Sequence, residues 1–356
     1  MQSPQKHILF CVLNWGLGHA SRSIPIIAHL IGKGYRVTIA SDGTAAELLQ
    51  QVFPLQCFID LPSYRIVYGR NPLRSIVSQI PRLLSNIRLE QVLIRFWLAT
   101  HPCDLIISDN RYGAYARTRP SILITHQLNY PGSALRSWLA QLVYAWLGRP
   151  FTEFWVPDLP APESLSGVLS HNRYVGKKYN IGPWSALPPL ERGTDYQYDV
   201  ILVLSGPEPN RSWLQNAFVR LITANPSLKA ALICGSTTIP PSPPYNLHVF
   251  GLVDAKKISS LVGRSRVILS RSGYSSIMDW ALQGLPVVLI PTPGQPEQDY
   301  LAQWLTQAYA IPMVKENELE RCLAYIRSSP HVYWPRVHQD SRRLQERIDL
   351  VLGVFD

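Results

Sequence analysis

Residues 267–303 read VILSRSGYSSIMDWALQGLPVVLIPTPGQPEQDYLAQ. An apolar run at 267–269 ends in a polar turn that contains a glycine, and a helical segment follows. A second apolar run at 287–290 leads into the proline-rich loop PTPGQPEQD. Short apolar runs separated by a helix are typical of parallel strands joined through a crossover helix. This stretch therefore predicts a strand-turn-helix-strand-loop unit of an α/β protein.

The polar residues of this stretch suit the parts of a nucleotide sugar. A helix N-terminus presents unpaired backbone N–H groups and a partial positive charge, so a turn at Ser272 and Gly273, with Arg271 beside it, can hold a diphosphate. Asp279, six residues after Gly273, can accept two hydrogen bonds from a ribose diol. The loop adds four side chains that suit sugar hydroxyls: Gln295, Glu297, Gln298 and Asp299. The alternative is an ordinary βαβ unit whose polar loop is only solvated.

The rest of the chain alternates apolar and helical segments in two series, as expected for two parallel-sheet domains in 356 residues. The first series predicts strands at 7–13, 36–40, 56–60, 104–108 and 122–125, with helices at 20–31, 44–51, 72–100 and 133–147. The second predicts strands at 198–204, 230–234 and 247–250, with helices at 212–224 and 255–262. The predicted organisation is a domain at 1–180, a linker at 181–196, a domain at 197–330 and a terminal helical segment at 331–356.

A glycine-rich turn, NWGLGHASR at 14–22, follows the first predicted strand. Gly16 and Gly18 let the backbone turn tightly and a ligand approach, and His19 lies at the mouth of the turn. The turn lacks the third glycine of a dinucleotide fingerprint, and Asp42 is poorly spaced for a ribose, so an NAD site is disfavoured.

Asp109 comes directly after the predicted strand at 104–108. It therefore lies at the carboxyl end of a parallel strand, where open α/β sheets bind their ligands. It could orient His19 or act as a base itself, and the alternative is a helix-capping role. His126, just after the next strand, is a weaker candidate for the same site.

Three patches resemble the GT-B glycosyltransferases: NWGLGHASR at 14–22, SGPEPNR at 205–211 and the 267–303 stretch. The resemblance is closest to glycosyltransferase family 28, which includes the peptidoglycan N-acetylglucosaminyltransferase. It implies the GT-B fold, an α/β architecture of two Rossmann-like domains facing across a cleft. The N-terminal domain would bind the acceptor and the C-terminal domain the nucleotide sugar, with the terminal helix crossing back onto the N-terminal domain.

By this resemblance, His19 is the leading candidate for the base that deprotonates the acceptor hydroxyl, since a neutral imidazole accepts a proton near pH 7. Asp109 would orient it or serve in its place, and the alternative for His19 is a histidine that only hydrogen-bonds the turn or a phosphate. The acceptor-side loops would contain Asn14, Gly16, Gly18 and Glu208.

The resemblance also assigns donor-binding positions in the second domain. In the family, the loop corresponding to 205–211 faces the donor phosphates, and Ser205, Gly206 and Arg211 are the candidates to contact them here. Pro207 and Pro209 remove two backbone donors from this loop, which argues against a loop that wraps the phosphates. Val253 stands where the family pairs with the uracil edge. Asp279 replaces a ribose-binding glutamate. Gln298 and Asp299 replace two consecutive glutamines that contact the sugar, which leaves the identity of the sugar open.

The predicted activity is an inverting, metal-independent transfer of a sugar from a UDP-linked hexose or N-acetylhexosamine to an acceptor hydroxyl. The sequence contains no Asp-x-Asp pair, the motif that bridges the diphosphate through a metal in the other large glycosyltransferase fold. No cofactor is expected besides the nucleotide-sugar substrate. The alternatives are an enzyme resembling UDP-N-acetylglucosamine 2-epimerase, which shares the fold but needs no acceptor, and a non-catalytic nucleotide-sugar-binding subunit.

The positive charge is concentrated in the first half of the chain. The net charge is +10, and residues 1–190 hold 18 lysines and arginines against 9 acidic residues. Six arginines are accompanied by only one acidic residue, Glu90: Arg65, Arg70, Arg74, Arg82, Arg88 and Arg95. Together with the tryptophan-rich helix at 133–147, they predict a surface for an anionic membrane and a lipid-linked or phosphorylated acceptor. The alternatives are a solvated helix face for the arginines and a core position for the tryptophan-rich helix. No nucleic-acid recognition motif accompanies the charge.

Five widely spaced cysteines, mostly inside apolar runs, favour reduced thiols in a cytosolic protein. No run reaches the length of a transmembrane helix. Asn14, Gly16 and His19 interrupt the apolar N-terminal segment, which argues against a signal peptide. We therefore expect a cytoplasmic protein, either free or peripheral on the inner face of the membrane.

Overall fold

The computed structural model describes residues 5–64, 72–190, 196–236, 239–328 and 332–353, without the side chains of 72–78. The chain divides into two compact units. Unit 1 comprises Met1–Trp184 and His338–Asp356, and unit 2 comprises Ser185–Val337. Each unit contains one parallel β-sheet and several helices, so the predicted mixed α/β class is confirmed.

Unit 1 is built on a seven-stranded parallel sheet of order β3-β2-β1-β4-β5-β6-β7. Its strands are β1 His7–Val12, β2 Arg36–Ser41, β3 Cys57–Asp60, β4 Leu105–Asp109, β5 Ser121–Ile124, β6 Glu153–Val156 and β7 Lys178–Asn180. Its first helices are α1 Leu17–Gly32, α2 Gly43–Val52, α3 Pro72–Thr100 and α4 Ala134–Gly148. Every residue of β1 is buried, as expected for a central strand covered on both faces. The strand order reverses between β1 and β4, and such a switch point is where open sheets bind ligands.

Unit 2 is built on a five-stranded parallel sheet of order β10-β9-β8-β11-β12. Its strands are β8 Tyr198–Val203, β9 Ala230–Ile233, β10 Leu247–Phe250, β11 Ser265–Ser270 and β12 Val287–Leu289. Its helices are α5 Asn210–Thr223, α6 Ala255–Gly263, α7 Tyr274–Gln283, α8 Pro296–Tyr309 and α9 Cys322–Ser328. Helix α7 follows β11 directly and β12 pairs with β11, so the 267–303 stretch forms the unit predicted for it.

The structure differs from the sequence prediction in several places, of which three affect the architecture. Strands β6 and β7 were not predicted, because each is short and β7 lies in a polar segment. Ile181 and Trp184, placed in the predicted linker, are buried in the core of unit 1. The end of the PTPGQPEQD loop is helical, because α8 begins at Pro296, a residue whose fixed φ suits the first helical position.

The apolar residues of α4 are mostly exposed, so the interpretation of this helix as a core element was wrong. Gly148 is its only buried residue, and a side chain there would collide with the Phe154 ring. The helix thus contacts the unit closely at its C-terminal end, and its exposed apolar residues are Leu135, Trp138, Leu139, Leu142, Val143 and Trp146. None of the described helices is both long and apolar enough to cross a membrane.

Helix α10, Ser341–Leu352, packs on unit 1. Leu344 and Ile348 are fully buried in the core that also contains β1, β2 and α1. Polar contacts surround this apolar seam: His29 bonds Gln345 at 2.9 Å, Tyr35 donates to Asp349 at 3.2 Å, and Arg347 pairs with Glu153. The described end of the chain is therefore an integral part of unit 1.

Replacing Leu344 or Ile348 with alanine is expected to lower the free energy of unfolding by about 2–5 kcal/mol, because each change leaves a cavity in a closed core. Leu350→Ala is the matched control on the same helix, since Leu350 is 53% exposed. It should cost about 0.5 kcal/mol or less. Urea unfolding followed by circular dichroism compares the three variants, and equal losses would contradict the packing of α10.

Candidate active site

His19 and Asp109 meet at the carboxyl ends of two adjacent strands in unit 1. Val12, the last residue of β1, pairs with Asp109, the last residue of β4. Gly16, with φ of 72°, precedes α1, which begins at Leu17 rather than at residue 20 as predicted. His19 therefore lies in the first turn of α1, and its Nδ1 is 2.9 Å from Asp109 Oδ1. The sheet and the turn bring together the two residues predicted as base and partner.

Arg22 and Ser23 complete this cluster, and the sequence analysis missed both. Arg22 Nε donates to Asp109 Oδ2 at 2.8 Å, its Nη2 donates to Oδ1, and Ser23 Oγ donates to Oδ2 at 2.9 Å. Positions three and four residues apart share one face of a helix, so both follow His19 on the same face. That spacing would have revealed them had the helix been predicted to begin before His19.

His126, two residues beyond β5, joins the cluster through Arg22. Its Nδ1 is 3.2 Å from Arg22 Nη1. A guanidinium has only donors, so Nδ1 of His126 must be the acceptor, and its neutral ring carries the proton on Nε2. In this arrangement the His126 ring is a hydrogen-bond donor at Nε2.

The electrostatics of the cluster keep His19 neutral and Asp109 ionised. Burial lowers the pKa of His19, and Arg22 lowers it further, against the opposing effect of Asp109. Burial alone would raise the pKa of Asp109, but Arg22 and His19 hold it well below its usual range. Nδ1 of His19 is 2.9 Å from Asp109 Oδ1 and 2.8 Å from Arg22 Nη2, so it can donate to the carboxylate or accept from the guanidinium, but not both. When it donates to the carboxylate, Nε2 carries the lone pair. A neutral imidazole held in this way is suited to accept a proton.

The side chain of Asn14 links the glycine-rich turn to the loop after β2 through hydrogen bonds. Its Nδ2 donates to Asp42 Oδ2 at 3.2 Å, and its Oδ1 accepts from Thr44 Oγ1 at 3.2 Å. Asp42 is in turn paired with the buried Arg111, which also binds Glu90 at 2.7 Å. Gly18 lies within α1 and Gly16 has open space around its Cα. The predicted acceptor-side turn is thus fixed to the neighbouring strand-end loops.

In unit 2, the turn before α7 and the loop before α8 are joined by side-chain hydrogen bonds. Gly273 caps α7, and Ser272 Oγ donates to the Gln298 backbone carbonyl at 2.8 Å. The Gln298 side chain accepts from Thr292 N at 3.0 Å and donates to Gln295 Oε1 at 2.7 Å. The structure therefore brings the predicted diphosphate turn and the predicted sugar loop together.

Glu297 and Asp299 lie in the first turn of α8, where carboxylates interact favourably with the helix N-terminus. Both are half-buried. Burial raises the pKa of Asp299, and Lys315 opposes the rise. Val253 is half-buried in the loop between β10 and α6, at the carboxyl end of β10.

The side chain of Arg271 is buried and bonded to neighbouring loops. It is 2% exposed. Its Nη2 pairs with Glu316 at 2.7 Å and donates to the carbonyl of Asn210 at 2.8 Å, and its Nη1 donates to the carbonyl of Pro291 at 3.2 Å. Its Nε has no hydrogen-bond partner among the described residues, and the role of Arg271 in holding a diphosphate stays a prediction.

The 205–211 loop is organised around Glu208. Glu208 pairs with Arg211 at 2.6 Å and accepts from the backbone N–H of Ser212 at 3.2 Å. Arg211 also donates to the carbonyl of Gly235 at 3.1 Å. Ser205 and Gly206 are exposed, and Gly206 has φ of 94°. Glu208 thus caps α5, and Arg211 is anchored beside the exposed Ser205–Gly206 segment.

Asp279 lies on α7 and accepts a hydrogen bond from Ser185 Oγ. Burial raises the pKa of Asp279 to about 7, and the bond from Ser185 opposes that rise. The fold therefore stabilises the ionised form of Asp279, the predicted ribose ligand, only weakly. Hydroxyl donors brought by a ligand would stabilise the ionised form further.

Comparisons with known proteins fit this geometry. Residues 245–328 match the glycosyltransferase family 28 C-terminal domain. The chain is a GT-B glycosyltransferase that resembles family 28. The matched residues contain the loop at Val253, the turn at Ser272 and Gly273, Asp279, and the loop and first turn of α8. The 205–211 loop and all of unit 1 lie outside them.

Two relatives and one solved structure align along most of the chain. A protein of Methanosarcina acetivorans, described as an uncharacterized glycosyltransferase, is 23% identical over 97% of this chain and 93% of its own length. The UDP-N-acetylglucosamine–N-acetylmuramyl-(pentapeptide) pyrophosphoryl-undecaprenol N-acetylglucosamine transferase of Rippkaea orientalis is 25% identical over 80% of this chain and 86% of its own. The crystal structure of Acinetobacter baumannii MurG has a TM-score of 0.64 at 13% identity, covering 98% of this chain and 100% of that one.

The Asp279 carboxyl is expected to make this family 28-like protein less stable as the pH rises. Its pKa is 3.8 in its ordinary state and about 7 in the fold, so the folded state binds the proton more tightly and loses stability as the carboxyl ionises. Asp279→Asn should therefore gain stability relative to the wild type between roughly pH 4 and pH 7, by at most about 4 kcal/mol, and the gain should level off above that range.

Urea unfolding of the two proteins across this pH range measures the difference. Glu320→Gln is the control for loss of a carboxylate, since Glu320 is exposed on unit 2. A stability difference between Asp279→Asn and the wild type that stays constant with pH would show that the fold does not raise this pKa.

Proposed function

We propose that the protein is an inverting, metal-independent glycosyltransferase that transfers a hexose or N-acetylhexosamine from a UDP-linked donor to an acceptor hydroxyl. The observation that carries this proposal is the buried His19–Asp109 pair at the strand ends of unit 1, with Nδ1 and Oδ1 2.9 Å apart. It occurs in a chain whose second unit contains a family 28 C-terminal domain. One unit thus supplies a base and the other a donor site.

Unit 2 offers a group for each part of the donor. The N-terminus of α7, at Ser272 and Gly273, supplies backbone N–H groups and the positive end of the helix dipole for the diphosphate. Asp279, farther along α7, would accept the ribose hydroxyls. Glu297, Gln298 and Asp299 would face the sugar, and the carboxyl end of β10 at Val253 would lie beside the base.

The proposed step is a direct displacement at the anomeric carbon. Nε2 of His19 takes the proton of the acceptor hydroxyl as its oxygen attacks that carbon from the face opposite the leaving group. The bond from the anomeric carbon to the diphosphate oxygen breaks, and its electron pair leaves with the nucleoside diphosphate. Asp109 holds the ring through Nδ1 and stabilises the imidazolium that forms, while the α7 N-terminus stabilises the departing diphosphate.

UDP and UDP-sugars are expected to raise the melting temperature of the protein, whereas the other nucleoside diphosphates should have a smaller effect. Stabilisation follows the ratio of ligand concentration to Kd and reaches about 2.7 kcal/mol at 100 Kd. His19→Ala should retain this shift and lose transfer of labelled sugar into acceptors of a cell extract by about 100-fold or more. If no nucleotide or nucleotide sugar changes the melting temperature of the wild-type protein, the donor proposal fails.

The same assay separates the alternatives. A 2-epimerase-like enzyme would convert the free nucleotide sugar without any acceptor, which product analysis of an acceptor-free reaction detects. A non-catalytic binding subunit would show the nucleotide shift but no transfer, and His19→Ala with Asp109→Ala would leave the activity of its pathway unchanged. Loss of product in folded variants excludes that subunit.

The exposed surface of unit 1 supports a lipid-linked acceptor at an anionic membrane. The six exposed apolar residues of α4 repeat at helical spacing, and residues 110–152 contain five arginines and no acidic residue. Helix α3 has a similar exposed stripe at Leu89, Val92, Leu93 and Phe96. Glu90, its only acidic residue, is buried against Arg111, so acidic groups are absent from the described exposed surface of α3.

An apolar helical face bordered by cations is the pattern of a helix that lies in the interface of an anionic bilayer. Of the arginines predicted to contribute, Arg82, Arg88 and Arg95 are exposed on α3. Arg65 and Arg70 lie outside the described residues, as does the side chain of Arg74. We propose that this surface binds an anionic bilayer, because it joins apolar side chains to uncompensated positive charge.

The double variant Trp138→Glu, Trp146→Glu is expected to reduce sedimentation with phosphatidylglycerol-containing vesicles by about tenfold or more, because each tryptophan would otherwise bury apolar area in the bilayer. The wild type should bind less to neutral phosphatidylcholine vesicles and less at high salt. Leu55→Glu is the matched control, since Leu55 is 94% exposed on unit 1 but lies between α2 and β3. Equal binding by all three proteins would remove the membrane from the proposal.

A further inference from the structure

Arg22 contacts titratable side chains from three different elements of unit 1. It binds both oxygens of Asp109 at the end of β4, and its Nη1 is 3.2 Å from Nδ1 of His126 beyond β5. Its Nη2 is also 2.8 Å from Nδ1 of His19, one turn earlier on its own helix. All four side chains are buried, and Arg22 itself is 2% exposed. The two histidines and the carboxylate thus share a single arginine.

The charges and donors of this cluster assign different protons to the two histidines. The guanidinium can only donate, so it requires a lone pair on Nδ1 of His126. Nδ1 of His19 lies 2.9 Å from Asp109 Oδ1 and 2.8 Å from Arg22 Nη2, and it can form a hydrogen bond with only one of them. A proton on Nδ1 gives the carboxylate a donor and makes the contact with Arg22 purely electrostatic. In that state His19 presents a lone pair at Nε2, and its tautomer is opposite to that of His126.

Arg22 also removes the excess negative charge that His19 would otherwise face. In a simple histidine–carboxylate pair, the carboxylate favours the imidazolium ion. Here Asp109 is already neutralised by Arg22, and a protonated His19 would place its charge within 2.8 Å of the guanidinium. The groups that face His19 among the described residues are Arg22 on α1, Asp109 on β4 and His126 beyond β5. The net charge around the ring is thus close to zero.

We propose that Arg22 is a positioning residue that sets the protonation of the site: it keeps His19 an uncharged base and His126 an Nε2–H donor. This inference rests on the role proposed for His19 in sugar transfer, because the base must be free of its proton when the acceptor binds. It adds that His126 is held as the Nε2–H tautomer and does not act as a second base.

Nuclear magnetic resonance of the histidine side chains in the full-length protein tests this directly, since imidazole ¹⁵N shifts distinguish the two neutral tautomers and the imidazolium. In the wild type at pH 7, His19 should be neutral with its proton on Nδ1, and His126 neutral with its proton on Nε2. Arg22→Met should raise the midpoint of the His19 titration by about one pH unit or more, because a neighbouring positive charge is lost. The His126 resonance should lose its preference for Nε2–H.

Further variants separate this effect from a structural one. Arg22→Lys keeps the charge but not the planar fork, so it should hold the His19 midpoint closer to wild type while releasing His126. Arg119→Met removes an exposed arginine of the same unit and should change neither histidine. If Arg22→Met does not fold, Asp109→Asn and Asp109→Asn with Arg22→Met form a second pair. The His19 midpoint should be higher in the double variant than in the single one.

A His19 midpoint that is unchanged or lower on loss of Arg22, in folded protein, overturns the inference. So does a wild-type His126 that carries its proton on Nδ1. These readouts need no substrate, so they remain valid if no sugar transfer is found, in which case the proposed function alone fails. If transfer is found, the acid limb of its pH–rate profile should move to higher pH in Arg22→Met, since a smaller fraction of His19 is unprotonated at a given acidic pH.

Discussion

The arrangement of unit 1 depends on one buried carboxylate, that of Asp109. It is fully buried at the end of β4, where an ionised group would be strongly destabilising without partners. Arg22, Ser23 and His19 supply those partners from a single helix face. Because the helix and the strand carry complementary groups, the position of α1 over the sheet and the orientation of the candidate base are determined by the same interaction.

In unit 2, hydrogen bonds fix the turn and the loop that follow two strand ends. The diphosphate site proposed there relies on backbone donors, so the turn at Gly273 would have to keep a fixed shape without a large side chain of its own. The hydrogen bonds from Ser272 to the Gln298 carbonyl and from the Gln298 side chain to the loop supply that rigidity. Gln298 therefore stabilises the loop in which sugar-binding residues were predicted.

Most strands and the strand-end location of both sites could be predicted from sequence, because apolar runs and glycine turns have strong local signatures. The pairing of Asp109 with His19 was predicted, but its contacts with Arg22 and Ser23 were not, because the helix was predicted to begin after His19 and the contacts depend on the pairing of β1 with β4. The same limit applies to Arg271, whose charge suggested a ligand contact and whose carboxylate partner, Glu316, lies in a different segment. The sequence left the exposure of α4 open, because tryptophan and leucine carry the same pattern in a core helix and in a surface one.

Three arginines are buried near strand ends in the described part of the chain, and their contacts divide them into two kinds. Arg111 donates to the carbonyls of Val12 and Pro62 as well as to its carboxylates. Arg271 donates to the carbonyls of Asn210 and Pro291. Such arginines satisfy backbone acceptors in irregular loops, which would otherwise be buried without partners.

Arg22 is of the other kind, because it donates to the side chains of Asp109 and His126 and lies 2.8 Å from Nδ1 of His19. A buried ion pair is a weak source of stability, since the cost of desolvating both charges offsets their attraction. An arginine that supports no loop backbone and touches only titratable groups contributes mainly through the proton positions it imposes. The contact pattern of Arg22 therefore distinguishes a chemical role from the bracing roles of Arg111 and Arg271, although all three are buried and paired with carboxylates.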